Sequence, residues 1–459
     1  MKIADFFDTE FKEFSNLDNV RSIPSLIDGF KDSQRKAIYG MMSRPLKEVK
    51  IAQAAGEVAL NTHYNHGENS MGNTLVGLAQ NYPGSNNVNL LEPIGQFGSI
   101  LTNESSSHRY IFTKVSENLR KYIRKEDDIV LEHKTEDGDK VEPKVFYPVI
   151  PLWIVNGSNG IGTGHSCKIL PRNPESIKRI LSNWAKGSEP KSLKKLLMPY
   201  YEGWKGSVIK VDENSFILEG VIEKINTSTV KITEVPPNMG IDKVKANLVK
   251  LLEENKIRDF DNNSSEEGFE IIVKMPRDVA KKTTKQLLNL FKLTTRVTEN
   301  VTMWSSTGEL TKYENVEEAL REFLQFKLSK VEERRIKQIE LLEEQSDFLN
   351  QKKDFIFKWN MLNNPGKMER TEIRKKIQSC SDENFERFMN MRISSLTLEK
   401  VDELQKEMVQ IEKEVESLKE TTPSKLYSSD LVFSFEDMFK HKLSMKTYET
   451  FNQNLQKYF

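Results

Sequence analysis

Arg109-Tyr110, within Ser107-His108-Arg109-Tyr110-Ile111-Phe112, is the pair in this chain whose side chains could break a phosphate ester bond. A tyrosine phenol ordinarily has a pKa of about 10 and is a poor nucleophile near neutral pH. An adjacent guanidinium, always charged, can stabilise a forming phenolate and hold a phosphate. Tyr110 can therefore attack a phosphodiester. The pair alone decides little, because most tyrosines serve packing. The glycine-rich stretch before it, Gly95-Gln96-Phe97-Gly98-Ser99, shows no glycosidase, protease or metal-enzyme pattern.

The elements that must position this pair are partly readable. Asp28-Gly29-Phe30-Lys31 forms a turn into a helix over Ser33–Met42 that carries Arg35 and Lys36. A second helix follows His66-Gly67-Glu68-Asn69-Ser70, with Leu75, Leu78 and Ala79 at helical spacing. Short helices joined by polar turns, then a strand-like Tyr110-Ile111-Phe112, suggest a winged-helix DNA-binding module. Val145–Pro151 and Leu152–Val155 read as strands broken by proline, and Asn156–Gly164 as a loop too rich in glycine for helix or regular strand. Beyond Pro171 the pattern is mixed α/β. Strands are expected at 207–211, 229–233 and 270–274, with an amphipathic helix around Val244–Leu252.

From Val316 the chain reads as helix for roughly 45 residues, about 67 Å. Leu320, Leu324, Leu328, Val331, Ile339, Leu342 and Leu349 mark its apolar face. Val401, Leu404, Met408, Ile411, Val415 and Leu418 step 3-4-3-4-3, a coiled-coil seam that Pro423 limits. Two such helices around a small globular tip make an antiparallel arm; a helix buried in a bundle is the alternative.

The 459 residues can hold two or three domains. Formal net charge is zero, but Arg21–Lys50 carries seven basic against three acidic side chains, net +4. Leu398–Glu420 carries eight acids against four lysines, net −4. A phosphate-binding face and a solvated arm account for that asymmetry, as does chance clustering of surface charge. No apolar run has membrane-spanning length, and the start of the chain is too charged for a signal peptide. Cys167 and Cys380 read as free thiols in a reducing compartment.

Together, Asp28–Lys36, Tyr64–Glu68, Gly84–Leu91, Gly95–Gly98, Arg109–Phe112 and Asn156–Gly164 resemble, in order, the DNA breakage-and-rejoining subunit of type IIA topoisomerases. The likeness runs from about Arg21 to Phe433. Its wording is closer to eukaryotic enzymes and to the medium subunit of T-even-like bacteriophage topoisomerases than to bacterial gyrase. It implies an α+β multidomain fold: a winged-helix DNA-gate domain over 1–168 with the tyrosine, and an α/β tower domain over 169–305. An outgoing coiled-coil helix over 306–362, an exit-gate tip over 363–397, a returning helix over 398–435 and a tail over 436–459 would follow.

Carried over position by position, the resemblance makes Tyr110 the residue that attacks DNA and forms a 5′-phosphotyrosyl ester, and Arg109 its phosphate-holding neighbour. Arg21, Lys31 and Arg35 align with basic residues that contact DNA or the active site, and Lys36 could share the last role. His66 matches a histidine that assists proton transfer or phosphate binding. Ile161 matches an isoleucine that wedges between base pairs, although by itself it would read as a core residue.

The resemblance also implies Mg²⁺ and ATP, both bound by a partner subunit with a Toprim metal site and an ATPase. No phosphate-cradling Gly-x-x-x-x-Gly-Lys is present, and Asp137-Gly138-Asp139, flanked by charge, reads as a hairpin turn. Two copies would meet through the winged-helix domain and the exit gate and act on double-stranded DNA within a heterotetramer. Relaxation and decatenation are expected rather than negative supercoiling, because a gyrase-type wrapping domain has no counterpart. The expected location is cytoplasmic, in an infected bacterial host if the chain is phage-encoded, with no membrane partner. A DNA-binding architectural protein with a dimerising coiled coil would explain the basic segment and the arm, but not the ordered blocks around Tyr110. A nuclease-like relative that cuts without resealing would leave the arm without a purpose.

Asn69 and Asn73 stand where bacterial enzymes carry a serine and an acid that bind quinolones through a metal-water bridge, so quinolone response should be weak. Titration of cleavage complexes with a fluoroquinolone checks this, and potent trapping contradicts it.

Overall fold

Asp28 and Arg35 can meet only if the chain turns sharply between them. In the computed structural model, which describes residues 3–432 except 45–46, 267 and 393–394, it does so at Gly29. Gly29 has φ +75°, and a Cβ there would lie 2.4 Å from the Trp153 backbone nitrogen. Only glycine fits both conditions. The helix Asp32–Met42 follows, with Gln34 accepting from the Lys31 N–H at 3.0 Å. The fully buried Asp28 carboxylate accepts from Arg35 Nε (2.8 Å) and Nη2 (3.1 Å) and from the backbone N–H groups of Phe30 and Phe146 (3.0 Å each). A buried ion pair is tolerated when its remaining hydrogen-bonding positions are filled, and here they are.

Helices Ile51–Asn61 and Glu68–Ala79 pack with this one and with each other. Ile38, Ala54, Val58 and Leu75 are fully buried. Beside them Phe112–Val115 forms the centre of a three-stranded antiparallel sheet, between Val49–Lys50 and Leu91–Ile94.

Four sequence expectations are corrected here. Val145–Pro151 forms no strand but an irregular segment, in keeping with its two prolines. Tyr110 and Ile111 precede the strand rather than belong to it. Leu152–Val155 is a helical turn, and all four side chains are buried, so its uniformly apolar run carried no period to read. Asn156–Gly164 contains a regular strand, Ser158–Ile161, which pairs antiparallel with Ser166–Ile169. Its glycines serve close packing rather than disorder.

The α/β pattern after Pro171 appears as expected. Strands Val221–Lys224, Thr229–Glu234, Ile271–Lys274 and Asp259–Asn262 form one antiparallel sheet, in that spatial order. The helix Ile241–Glu253 lays Val244, Leu248 and Leu251 onto Val230, Ile232, Ile271 and Val273. A second sheet joins Thr294–Thr298, Ser215–Glu219 and Ser207–Asp212. Arg172 and Glu299, both buried, form an ion pair, and Glu299 also accepts from the Leu170 N–H.

The described residues divide into two compact units, one of residues 3–327 with 428–432 and one of Leu328–Tyr427. The helix Val316–Met361 has 46 residues, and the returning helix is Leu398–Glu420. In the second unit Leu342, Leu349, Phe355, Leu404, Met408 and Ile411 share one core with Ile373, Phe385 and Phe388 of two short helices. Glu343 pairs with Lys419 (2.6 Å) and Lys353 with Gln405 (3.2 Å), so the helices run antiparallel. The returning segment breaks after Glu420 and resumes as the helix Pro423–Asp430; the rest of that segment from residue 433, with the 436–459 tail, lies outside the described residues.

Among the described residues no helix is long and apolar enough to cross a membrane. Both cysteines are free and buried, and burial pushes the Cys167 thiol up to about 12.

Asp28→Ala would leave Arg35 charged and unpaired in the core, with an expected loss of about 3–5 kcal/mol. Urea unfolding measures it, and a loss below about 1 kcal/mol would show that the turn does not depend on this pair.

Candidate DNA-cleavage site

Tyr110 sits on a turn fixed at both ends. The carbonyls of His108 and Ile111 accept from the N–H groups of Ala52 (3.2 Å) and Ile51 (3.0 Å), and the Tyr110 N–H donates to Ser107 O at 2.9 Å. These carbonyls satisfy donors that the first turn of the Ile51–Asn61 helix would otherwise leave open. His108 Nε2 lies 3.1 Å from Asn73 Oδ1. A Cβ at Gly72 would stand 2.4 Å from the same ring, so the ring rests on the backbone of the Glu68–Ala79 helix. Ile111 is buried, whereas Tyr110 is 70% exposed and Arg109 is also exposed. The backbone is held and the Tyr110 side chain is open to solvent.

The polar wall next to this turn is a groove lined by Lys31, Ser33, Gln34, Ser70, Asn73 and Thr74. Asn73 belongs both to the groove and to the support of His108. Burial lowers the pKa of Lys31 below the ordinary lysine range, the opposing influence being the Cys167 thiol. His66 is exposed, and its ring meets the edge of Tyr64 at 5.4 Å between centroids.

Arg35 and Lys36 are corrections. Both are buried, Arg35 on Asp28, and Lys36 on Thr62 O (2.6 Å), Glu142 (3.2 Å) and Glu136 (3.3 Å). A cation so enclosed has no face left for a phosphate; both hold the scaffold. Lys134 extends this network to Glu142 and Asp32. Burial pushes Asp32 up, but the hydrogen bond and charge of Lys134 outweigh it and hold the carboxyl below its ordinary range.

Ile161 and Arg21 lie close together through their backbones. The helix Lys12–Ser22 carries Arg21, which is exposed, in its last turn. Against that helix packs the hairpin of Ser158–Ile161 and Ser166–Ile169. A Cβ at Gly160 would come within 2.2 Å of Ser22 O, and one at Gly162 within 2.2 Å of Asn19 Oδ1. Thr163 Oγ1 donates to Asp18 at 2.7 Å, and Asn19 Nδ2 to Thr163 O at 3.1 Å. Ile161, between the two glycines, is 79% exposed, not a core residue.

Asp137 and Asp139 behave as hairpin residues. Asp137 and Gly138 have φ +51° and +90°, joining His133–Glu136 to Asp139–Pro143. Their carboxylates approach opposite nitrogens of His63, Asp137 at Nδ1 (3.4 Å) and Asp139 at Nε2 (3.3 Å). Carboxylates on opposite edges of a ring do not converge on one ion, so this pair does not fit Mg²⁺.

Sequence reading missed two kinds of residue. Asn87 was one letter in a motif, yet its side chain donates to the carbonyls of Val155, Arg172 and Tyr200 and accepts from the Glu202 N–H. His63 was passed over because nothing in sequence brings Asp137 to it.

Comparison with known proteins bears on this geometry. The sequence profile of the family of DNA gyrase/topoisomerase IV A-type subunits matches residues 21–434. DNA topoisomerase 2-alpha of Gallus gallus is 33% identical over 481 residues, covering 95% of this chain and 30% of that protein. DNA topoisomerase 2 of Candida albicans is 37% identical over 363 residues, 77% of this chain and 24% of that protein. The chain thus spans about a third or less of the curated relatives it matches. A solved structure of the Plasmodium falciparum topoisomerase II DNA-binding, cleavage and re-ligation domain superposes with a TM-score of 0.84 at 32% identity, over 93% of this chain and 63% of that one.

Gly160→Ala should force the Ile161 hairpin off the Lys12–Ser22 helix, at about 1–3 kcal/mol. Thermal unfolding tests this, and an unchanged Tm would show that the contact gives way freely.

Proposed function

The chain belongs to the family of DNA gyrase/topoisomerase IV A-type subunits, and from that premise we propose that it cleaves and rejoins double-stranded DNA. The observation that carries the proposal is Tyr110, mostly exposed on a turn whose backbone is tied to two helices. In this reading the Tyr110 Oη attacks the scissile phosphorus. The phosphorus bond to the leaving 3′ oxygen breaks as the 5′-phosphotyrosyl ester forms, and that oxygen takes up a proton from water to leave a 3′-hydroxyl. His66 takes the phenolic proton and Arg109 steadies the phosphate oxygens. Resealing is the reverse, so the ester conserves the bond and no external energy enters the chemical steps.

Arg21 and Lys31 would track the DNA backbone, and Ile161 would enter the base stack. Two copies, related by an isologous contact, would cut opposite strands in a stagger and permit strand passage. The gate region around Tyr110 would be a winged-helix domain, the α/β region a tower, and Leu328–Tyr427 the exit gate. Divalent metal and ATP we assign to a partner polypeptide; metal, when bound, neutralises charge on the transferring phosphate. The wording of the sequence blocks supports a place beside the medium subunits of T-even-like phage enzymes, acting in a heterotetramer.

The test is a covalent adduct. The chain, its partner, Mg²⁺ and end-labelled duplex, denatured after reaction, should yield protein-linked DNA that disappears in Tyr110→Phe. An adduct unchanged in that variant would show that another residue is the nucleophile. Cleaved DNA without any protein link would favour a nuclease.

A further inference from the structure

We propose that the hairpin of His133–Glu136 and Asp139–Pro143 is a clamp that positions His66, with His63, Asp137 and Asp139 as its contact residues. The proposal deepens the cleavage reading above and rests on it for the role of His66. The geometry starts at the end of the Ile51–Asn61 helix. Thr62 is buried; its N–H and hydroxyl both donate to Val58 O (3.0 and 2.7 Å), and its carbonyl accepts from Lys36 Nζ at 2.6 Å. The next residue, His63, has φ +50°, a left-handed conformation that costs a non-glycine residue energy. That reversal lets the Tyr64 N–H reach back to Ala59 O at 3.0 Å, closing the helix in the manner usually left to glycine. Tyr64 is then fixed by its hydroxyl on Ser70 (3.0 Å), and its ring meets His66.

A strained residue three positions before a reacting one calls for a counterforce. The hairpin supplies it. Its tip places one carboxylate at each ring nitrogen of His63, and Glu136 beside the turn and Glu142 farther along the second strand both reach Lys36, the same ammonium that holds Thr62 O. An exposed pair contributes little alone. Here the exposed contacts act on a loop already tied by a buried one, since Glu142 has no exposed surface. The hairpin thus grips both the backbone and the side chain of the two residues that launch the His66 turn. No metal is involved, because the carboxylates do not converge.

The Asp137 and Asp139 side chains are 88% and 76% exposed, so the double variant Asp137→Ala/Asp139→Ala should fold. Two readouts are expected to move in the full-length chain. Hydrogen exchange of the Tyr64 amide should speed up about fivefold, in the range of measured couplings between contacting groups. The initial rate of Tyr110–DNA adduct formation should fall by about the same factor, with DNA affinity unchanged within about twofold. His63→Gly separates positioning from structure: glycine relieves the backbone strain and should not lower stability, yet it should slow cleavage as the double variant does. In a His66→Ala background the clamp variants should slow cleavage no further. Unchanged Tyr64 exchange overturns the clamp whatever the activity. A wild-type cleavage rate in the clamp variants, or a full further loss in the His66→Ala background, overturns its action through His66. If the wild-type chain, supplied with its partner, Mg²⁺ and duplex, forms no Tyr110 adduct, the cleavage reading fails instead, and the exchange measurement alone decides the clamp.

Discussion

A carboxylate with no solvent exposure must be surrounded by donors, and Asp28 organises the region around the candidate site by that requirement. Its oxygens take Arg35 from one helix, Phe30 from the turn and Phe146 from a segment more than a hundred residues later. The turn cannot shift without stranding the charge, so the start of the Asp32–Met42 helix is fixed, and with it Lys31 and the groove that leads to Asn73. The same helix places Lys36 against Thr62, Glu136 and Glu142. One buried pair thereby sets the origin for the tyrosine turn and for the His66 loop.

The candidate site is arranged as exposed side chains on immobilised backbone. Tyr110, Arg109, His66, Arg21 and Ile161 all reach solvent. Close backbone or side-chain contacts lie beneath them: His108 on Gly72, the Ile161 hairpin on Ser22 and Asn19, Tyr64 on Ser70. A large ligand such as a duplex needs this division, because a side chain must be accessible to meet it and must not be free to wander.

Local periodicity made the long helix and its returning partner legible, down to the 3-4-3-4-3 seam that ends in Leu418. The helix start after Lys31 was legible from turn chemistry to within one residue, and the Asp137-Gly138 turn from its charged flanks, whereas the next helix starts at Glu68, inside the His66–Ser70 stretch expected to precede it. Leu152–Val155 was not, since a residue run buried on every side has no polar phase to mark helix from strand. The roles of Arg35 and Lys36 were misread for a related reason. A basic residue in a basic stretch looks like a phosphate ligand until the acids that enclose it, Asp28, Glu136 and Glu142, are seen beside it. Two of those three lie about a hundred residues away in sequence. Ile161 went the other way. Its exposed apex followed from the glycines on either side, whose function is contact with a helix that sequence alone does not place there.

That last arrangement separates two design variables that are usually linked. At positions 160 and 162 shape is dictated by the helix beneath, while at 161 the side chain is turned to solvent. The position is accordingly a socket: its occupant can be exchanged for a crosslinker, a fluorophore or a bulkier side chain with little effect on folding. The hairpin thus offers a place for a reporter group whose surroundings change when anything docks on that face.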